Sequence, residues 1–220
     1  MKYDLIIVTQ SKGDLIQMTE QCINSARIDG ADLNIIIVET GQPYKYDVDR
    51  IIEYNGEFNY NRALNLGLKY VKGDIHILAN NDLIFHEGWS QIGELMRLNN
   101  FHSASARSQS SKFPKADLVY EGYEIGSLLT GWCIFMDRYC HSMIGSLDES
   151  VSFWYSDDLY ALQLQEADIK HGLFCNVQID HITSRTLIKQ NPRIQRKYQI
   201  GEVGKYLTRK KYYGQRQRMH

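Results

Sequence analysis

The sequence predicts an α/β domain built on a mostly parallel sheet. Strand and helix patterns alternate through the first half of the chain, as they do where helices cross over between parallel strands. The strand candidates are short unbroken apolar runs such as Leu5-Ile6-Ile7-Val8, the pattern of strands buried on both faces. Polar residues gather where these runs stop: Thr9, Glu39 and Asn80-Asn81-Asp82. Open α/β sheets bind their ligands at those carboxyl ends.

Taken in order, residues 13–28 have helical spacing after the first strand, and Asn34 to Val38 is a second strand, closed by Thr40-Gly41 and Pro43. Residues 50–54 can form a third. Residues 61–71 form an amphipathic helix ending near Lys72-Gly73, and Asp74 to Ala79 is the next strand. Helix follows over 88–99, strand over 101–106, and a segment without clear period, read as loop, over 107–130. Trp132 to Met136 is a strand, 156–167 a helix, and Gly172 to Ile179 a late strand.

A chain of 220 residues, 43% hydrophobic and 23% charged, suits a globular domain with a core of its own. Its longest apolar run is five residues, Trp132 to Met136, against the roughly 20 needed to span a bilayer, so no transmembrane segment is expected. Nor does the N-terminus carry a signal pattern. Cys22, Cys133, Cys140 and Cys175 make no CxxC pair and read as buried thiols of a reducing, cytoplasmic compartment. Charge is unevenly spread. Residues 1–190 hold 16 Lys+Arg against 25 Asp+Glu, whereas residues 191–220 hold nine against Glu202 alone. The expected organisation is an acidic body, 1–190, with a basic tail, 191–220, and such asymmetry points to a polyanionic partner for the tail.

Asn80-Asn81-Asp82 admits two readings by itself. Asp at a strand end can offer a hard oxygen to Mg²⁺ or Mn²⁺, and Asn-Asp clusters also make plain turns. Its neighbourhood carries more. Residues 58–67 read Phe-Asn-Tyr-Asn-Arg-Ala-Leu-Asn-Leu-Gly, followed by Gly73-Asp74, the strand ending in Asn80-Asn81-Asp82, and Gly88-Trp89. Downstream come Gly131-Trp132, Asp137-Arg138, Ile144-Gly145-Ser146-Leu147-Asp148-Glu149, Ser156-Asp157-Asp158, Leu162-Gln163-Leu164-Gln165, and His181 with Ser184 and Thr186. This ordered set, over roughly residues 4–186, resembles the GT-A fold glycosyltransferases related to family 2.

The resemblance implies a Rossmann-like nucleotide-sugar-binding fold and transfer of a sugar, from a UDP-sugar by family habit, to an acceptor hydroxyl. Asp82 and His181 would hold Mn²⁺ or Mg²⁺. Asn81, where many relatives have Asp, thins that ligand set. Thr9, Gln10 and Glu39 would line the nucleoside pocket. Arg62 would face the diphosphate, Asn80 the ribose or sugar, and Gly131 and Trp132 the pocket between sugar and acceptor. Counting back from Ala167-Asp168, where relatives have "A-G", puts the catalytic base at Asp157, with Asp158 the adjacent alternative. Both also suit a helix N-cap. Inverting transfer needs such a base and no protein nucleophile.

The tail interleaves nine Lys and Arg with Tyr198, Tyr206, Tyr212 and Tyr213, a composition suited to phosphates and stacked bases. In architecture and composition the chain looks like phage enzymes that glycosylate hydroxymethylated DNA bases, which would place it in the host cytoplasm. A bacterial surface glycan is the other acceptor expected. An anionic membrane surface, closure of the tail over the donor diphosphate, or a solvated tail are the remaining readings of residues 191–220. Two other classes compete. A sugar-nucleotide pyrophosphorylase would want a glycine-rich basic loop, where residues 9–15 offer one Lys and one Gly. A nucleic-acid-binding module on a degenerate transferase body is kept open by Asn81.

Overall fold

The computed structural model describes residues 1–182 and 192–216. Nine strands, β1 (Lys2–Thr9), β2 (Asp32–Glu39), β3 (Arg50–Glu53), β4 (Ile75–Asn80), β5 (Leu83–Phe85), β6 (Ser103–Arg107), β7 (Val119–Glu121), β8 (Cys133–Asp137) and β9 (His171–His181), form one sheet. Its order is β3-β2-β1-β4-β8-β6-β9-β5, with β7 beside β9. From β3 to β9 every strand runs the same way except β8, antiparallel to both β4 and β6. β5 and β7 pair antiparallel with the two halves of β9.

Helices cover both faces. On one face α1 (Asp14–Ala26) and α3 (Ile92–Leu98) pack with Trp89 over Tyr3, Leu5, Ile7, Ile35 and Ile37. On the other, α2 (Tyr60–Leu68), α4 (Arg138–Ile144) and α5 (Ser156–Glu166) pack over Ile6, Val8, Ile36 and Val38. Consecutive residues of β1 and β2 thus feed opposite cores, which is why their sequences run apolar without alternation. α2 lies so close to β1 that a Cβ on Gly67 would fall 2.5 Å from Ile6 Cγ2. All four cysteines are buried free thiols.

Four elements depart from the sequence expectation. The segment 107–130 contains β7, a half-exposed edge strand too short to show a period. β5 is equally short. α4 starts where the Asp137 side chain accepts from Cys140 N at 2.8 Å, an N-cap placed directly after a strand. The basic tail forms α6 (Pro192–Arg216), a helix packed on α5. Among the described residues no helix is long and apolar enough to cross a membrane.

At the amino end of the sheet Asp4 is fully buried and accepts from Asn34 Nδ2 at 2.6 Å, from Lys72 N at 2.7 Å and from Gly73 N. Burial opposes its charge, but these donors and His76 outweigh it and lower its pKa to about 2. The folded state therefore binds its proton more weakly than the unfolded chain. Asp4 contributes about 2 kcal/mol above pH 4, lost as pH falls toward 2. Thermal unfolding between pH 5 and 2.5 should show this slope in the native protein and a flatter one in Asp4→Asn, whose melting temperature at neutral pH is lower.

Candidate active site

The carboxyl ends of β1, β2, β4 and β9 and the amino end of α5 surround the site. β1 and β2 end in two buried polar knots. Thr9 Oγ1 meets Thr19 Oγ1 at 2.8 Å, and Asn81 Nδ2 donates to both hydroxyls at 3.0 Å. The Asn81 amide thus ties β4 to β1 and α1. Glu39, 2% exposed, accepts from Ser11 N at 2.9 Å, Gly41 N at 2.7 Å and the Ser11 hydroxyl, which also meets Tyr46 OH at 2.7 Å. That carboxylate fixes the loops after both strands. Gln10 stands exposed between the knots.

β4 delivers Asn80 and then Asp82. Asn80 Oδ1 accepts from Tyr60 OH at 2.8 Å, and its N–H donates to Trp132 O at 2.9 Å. Asp82 Oδ1 lies 3.0 Å from His181 Nε2, brought there by pairing of β5 with the end of β9. Both atoms are buried, and neither finds a hydrogen-bond partner among the described residues. Burying two such groups with no partner but each other is costly. Two ligands of one six-coordinate ion, each about 2.1 Å from it, sit about 3 Å apart, so the pair fits one divalent cation. Among the described residues no third His, Cys, Asp or Glu joins them. Mg²⁺ and Mn²⁺ commonly complete such a set with substrate phosphate and water.

Trp132 stacks on His181 with ring centroids 5.5 Å apart and planes at 13°. Beside it, Gly131 has no room for a side chain: a Cβ there would fall 2.6 Å from Asp157 Cβ and 2.7 Å from its Oδ2. Asp157 lies in the first turn of α5, and its Oδ1 accepts from Asp158 N at 3.1 Å. Burial, followed by the neighbouring Asp158 charge, raises its pKa to about 6. Burial also raises that of Asp158, which faces Tyr206 and Lys210 of α6. Tyr60, held neutral by burial, lies within electrostatic reach of Asp82 and Asp157. A chain of contacts therefore runs from Asp157 over Gly131 and Trp132 to His181, Asp82 and Asn80. Arg62 is not on it: half exposed, it pairs with Glu149 Oε2 at 2.7 Å. Ser184 and Thr186 lie outside the described residues.

Several residues without an expected role shape the site, together with Asp148, which with Glu149 is expected to bind the acceptor or shape the loop. Asn59, Asn61 and Asn65 of the α2 segment hold the backbone of residues 147–151 through Glu149 O, Val151 O, Asp148 O and Leu147 O, at 2.7–2.9 Å. Asp148 turns inward, accepting from the Ser150 hydroxyl and N–H, from Arg209 Nε at 2.6 Å and from Tyr213 OH at 2.9 Å. Burial opposes its charge, but these donors prevail and hold its pKa below the ordinary value. The asparagines lie within the 58–67 motif. Tyr60 gave no signal beyond being aromatic.

No protein-family model matches the chain, and no curated protein matches it. Solved structures do. The crystal structure of S. aureus TarS 1-349 superposes with a TM-score of 0.60 at 9% identity, over 81% of this chain and 60% of that one. GalNAc-T7 with UDP, GalNAc and Mn²⁺ superposes with a TM-score of 0.63 at 8% identity, over 82% of this chain and 43% of that one. This chain thus spans less than two thirds of either. At these identities the likeness concerns the fold, and the fold is GT-A.

Proposed function

We propose that this protein is a glycosyltransferase that moves a sugar, with inversion, from a nucleotide-sugar to an acceptor hydroxyl, with UDP as the nucleotide and Mn²⁺ or Mg²⁺ as cofactor. The observation that carries the reading is that chain of contacts: a half-buried carboxylate with a pKa of about 6 and a buried Asp-His pair 3.0 Å apart with no other partner among the described residues, joined through Gly131 and Trp132. The GT-A fold and the UDP and Mn²⁺ bound in the GalNAc-T7 structure support it.

In this mechanism Asp157 takes the proton of the acceptor hydroxyl as its oxygen attacks the anomeric carbon from the face opposite the leaving diphosphate. A base with a pKa of about 6 is mostly ionised at pH 7 and close enough to neutrality to accept a proton efficiently. Asp158 supports it by its neighbouring charge. Asp82 and His181 would hold the cation, which when bound offsets charge growing on the leaving group. Trp132 fixes the His181 ring and, with Gly131, shapes the sugar pocket. Asn80, oriented by Tyr60, contacts ribose or sugar. Gln10 reaches the nucleoside, Thr9 and Glu39 hold its pocket walls, and Arg62 reaches the diphosphate on leaving Glu149.

For the acceptor we propose a hydroxymethylated base in DNA. Arg196, Lys205, Lys210 and Lys211 are exposed on α6, and Lys210 stands close to Asp158, so a polyanion along this helix would present its hydroxyl beside the base.

Thermal shift with UDP, GDP and CMP, each with Mn²⁺ or EDTA, tests the donor half. Ligand at 100 times its Kd stabilises by about 2.7 kcal/mol, a shift of roughly 5–10 °C for a chain of this size. UDP with Mn²⁺ should give this shift, and Asp82→Ala should abolish the Mn²⁺-dependent part. Equal shifts with Mn²⁺ and EDTA would remove Asp82 from a metal site. No shift with any nucleotide would favour the non-catalytic binding module. Transfer to a glycan but not to hydroxymethylated DNA would overturn the acceptor.

A further inference from the structure

The segment 148–155, which leads into Asp157, is held from two sides. α2 grips its first half through the three asparagines, and Tyr60 N donates to Ser152 O at 2.7 Å. α6 grips its second half. The carboxylate of Glu202, 7% exposed, accepts from three consecutive backbone N–H groups: Ser152, Phe153 at 3.2 Å and Trp154 at 2.8 Å. Immediately after them Tyr155 takes a left-handed backbone conformation, φ 67°, disfavoured for a tyrosine. Its ring lies flat against Tyr206, with centroids 4.8 Å apart and planes at 5°. Two residues later comes Asp157. Backbone conformations of this kind persist only where surrounding contacts impose them.

We propose that Glu202 is a positioning residue: by holding the N–H groups of residues 152–154, with Tyr206 stacked on Tyr155, it forces the left-handed turn that sets Asp157 against Gly131. The spacing of α6 is built for this. Glu202, Tyr206, Arg209, Tyr213 and Arg216 recur at intervals of four and three, one stripe of a helix. That stripe meets in turn the 152–154 amides, Tyr155, Asp148 and, through Arg216, Glu166 at 2.8 Å. Asp158 is the charged group beside Asp157, Tyr60 lies in electrostatic reach of Asp157, and Tyr206 and Lys210 face Asp158 from α6. A loosened turn would admit water to Asp157 and remove the burial that raises its pKa.

The inference rests on Asp157 being the base, so the experiment measures both. Glu202→Gln keeps the shape but replaces one accepting oxygen by a donor aimed at backbone N–H groups. Turnover with a UDP-sugar should fall about 10- to 100-fold. UDP affinity should stay unchanged, and the acid limb of the kcat profile should move from near pH 6 toward the ordinary carboxylate range. Tyr206→Ala, which leaves the Glu202 bonds in place, should act in the same direction and serves if Glu202→Gln does not fold. Arg216→Ala, which removes the Glu166 pair and the contact with Tyr212 but nothing that touches residues 152–158, should lower the melting temperature with kcat and acid limb unmoved. If Asp157→Asn abolishes turnover while Glu202→Gln keeps the native kcat and acid limb, or loses kcat only in step with Arg216→Ala at equal destabilisation, the positioning role is wrong. If Asp157→Asn itself turns over normally, the base assignment has failed instead.

Discussion

Asp157→Asn is expected to remove turnover and at the same time to stabilise the protein. In the unfolded chain this carboxyl ionises near pH 4, whereas in the folded protein burial and the Asp158 charge hold its pKa at about 6. Between those values the folded state binds the proton more strongly, so stability is highest below pH 4 and falls as pH rises through 6, then levels. Above pH 7 the ionised Asp157 costs up to about 3 kcal/mol. Asparagine has the same shape and no charge to desolvate, so at pH 8 the variant should melt roughly 3–8 °C higher, a gain that disappears near pH 4. Turnover should fall at least 10²-fold with loss of the base. Calorimetry at pH 4.5 and 8, alongside single-turnover assays, separates the outcomes. Stabilisation with full activity would leave Asp157 a buried acid without a catalytic task, and no pH-dependent stabilisation would mean its carboxylate is well solvated. Gains of this kind belong where a protein tolerates strain for function.

The first strands were legible because burial on both faces leaves a direct mark: Leu5 to Val8 and Ile35 to Val38 divide residue by residue between the two cores. The polar residues ending those strands were legible as positions, and their partners were not. Asn81 pairs with Thr9 across 72 residues and Glu39 with Ser11 across 28, and no periodicity reports such contacts. β5 and β7 are too short to have a period. α6 is the instructive case. Its inward stripe is ionic and aromatic, so the apolar signal that marks a packed helix is faint, and its composition reads as a solvated charge run. Arg209 and Tyr213 are committed to Asp148 and Arg216 to Glu166, leaving Arg196, Lys205, Lys210 and Lys211 as the described exposed cations with no carboxylate partner at ion-pair distance.

That division gives α6 two separable tasks, and two variants should pull them apart. Truncation after residue 190 removes the Glu202 and Arg209 anchors and exposes Val151 and Leu159, both buried against Tyr213. Each fully buried side chain of this size contributes about 1.5–3 kcal/mol, offset in part by the entropy of ordering the helix. The net loss should lower the melting temperature by roughly 5–15 °C and remove both transfer and hydrolysis of the UDP-sugar, because the segment leading to Asp157 loses one of its two holds. Replacing Arg196, Lys205 and Lys211 together by Gln, with Lys210 kept for its contacts with Tyr206 and Asp158, leaves the inward stripe intact. Melting temperature and UDP-sugar hydrolysis should then stay close to native, while affinity for DNA falls and its dependence on salt flattens. If each of the three cations meets one phosphate of a duplex, the slope of log K against log salt should lose about 2.7. An unchanged salt slope would take the polyanion off α6. Hydrolysis preserved after truncation would mean that α2, through Asn59, Asn61, Asn65 and Tyr60 N, holds the 148–155 segment alone.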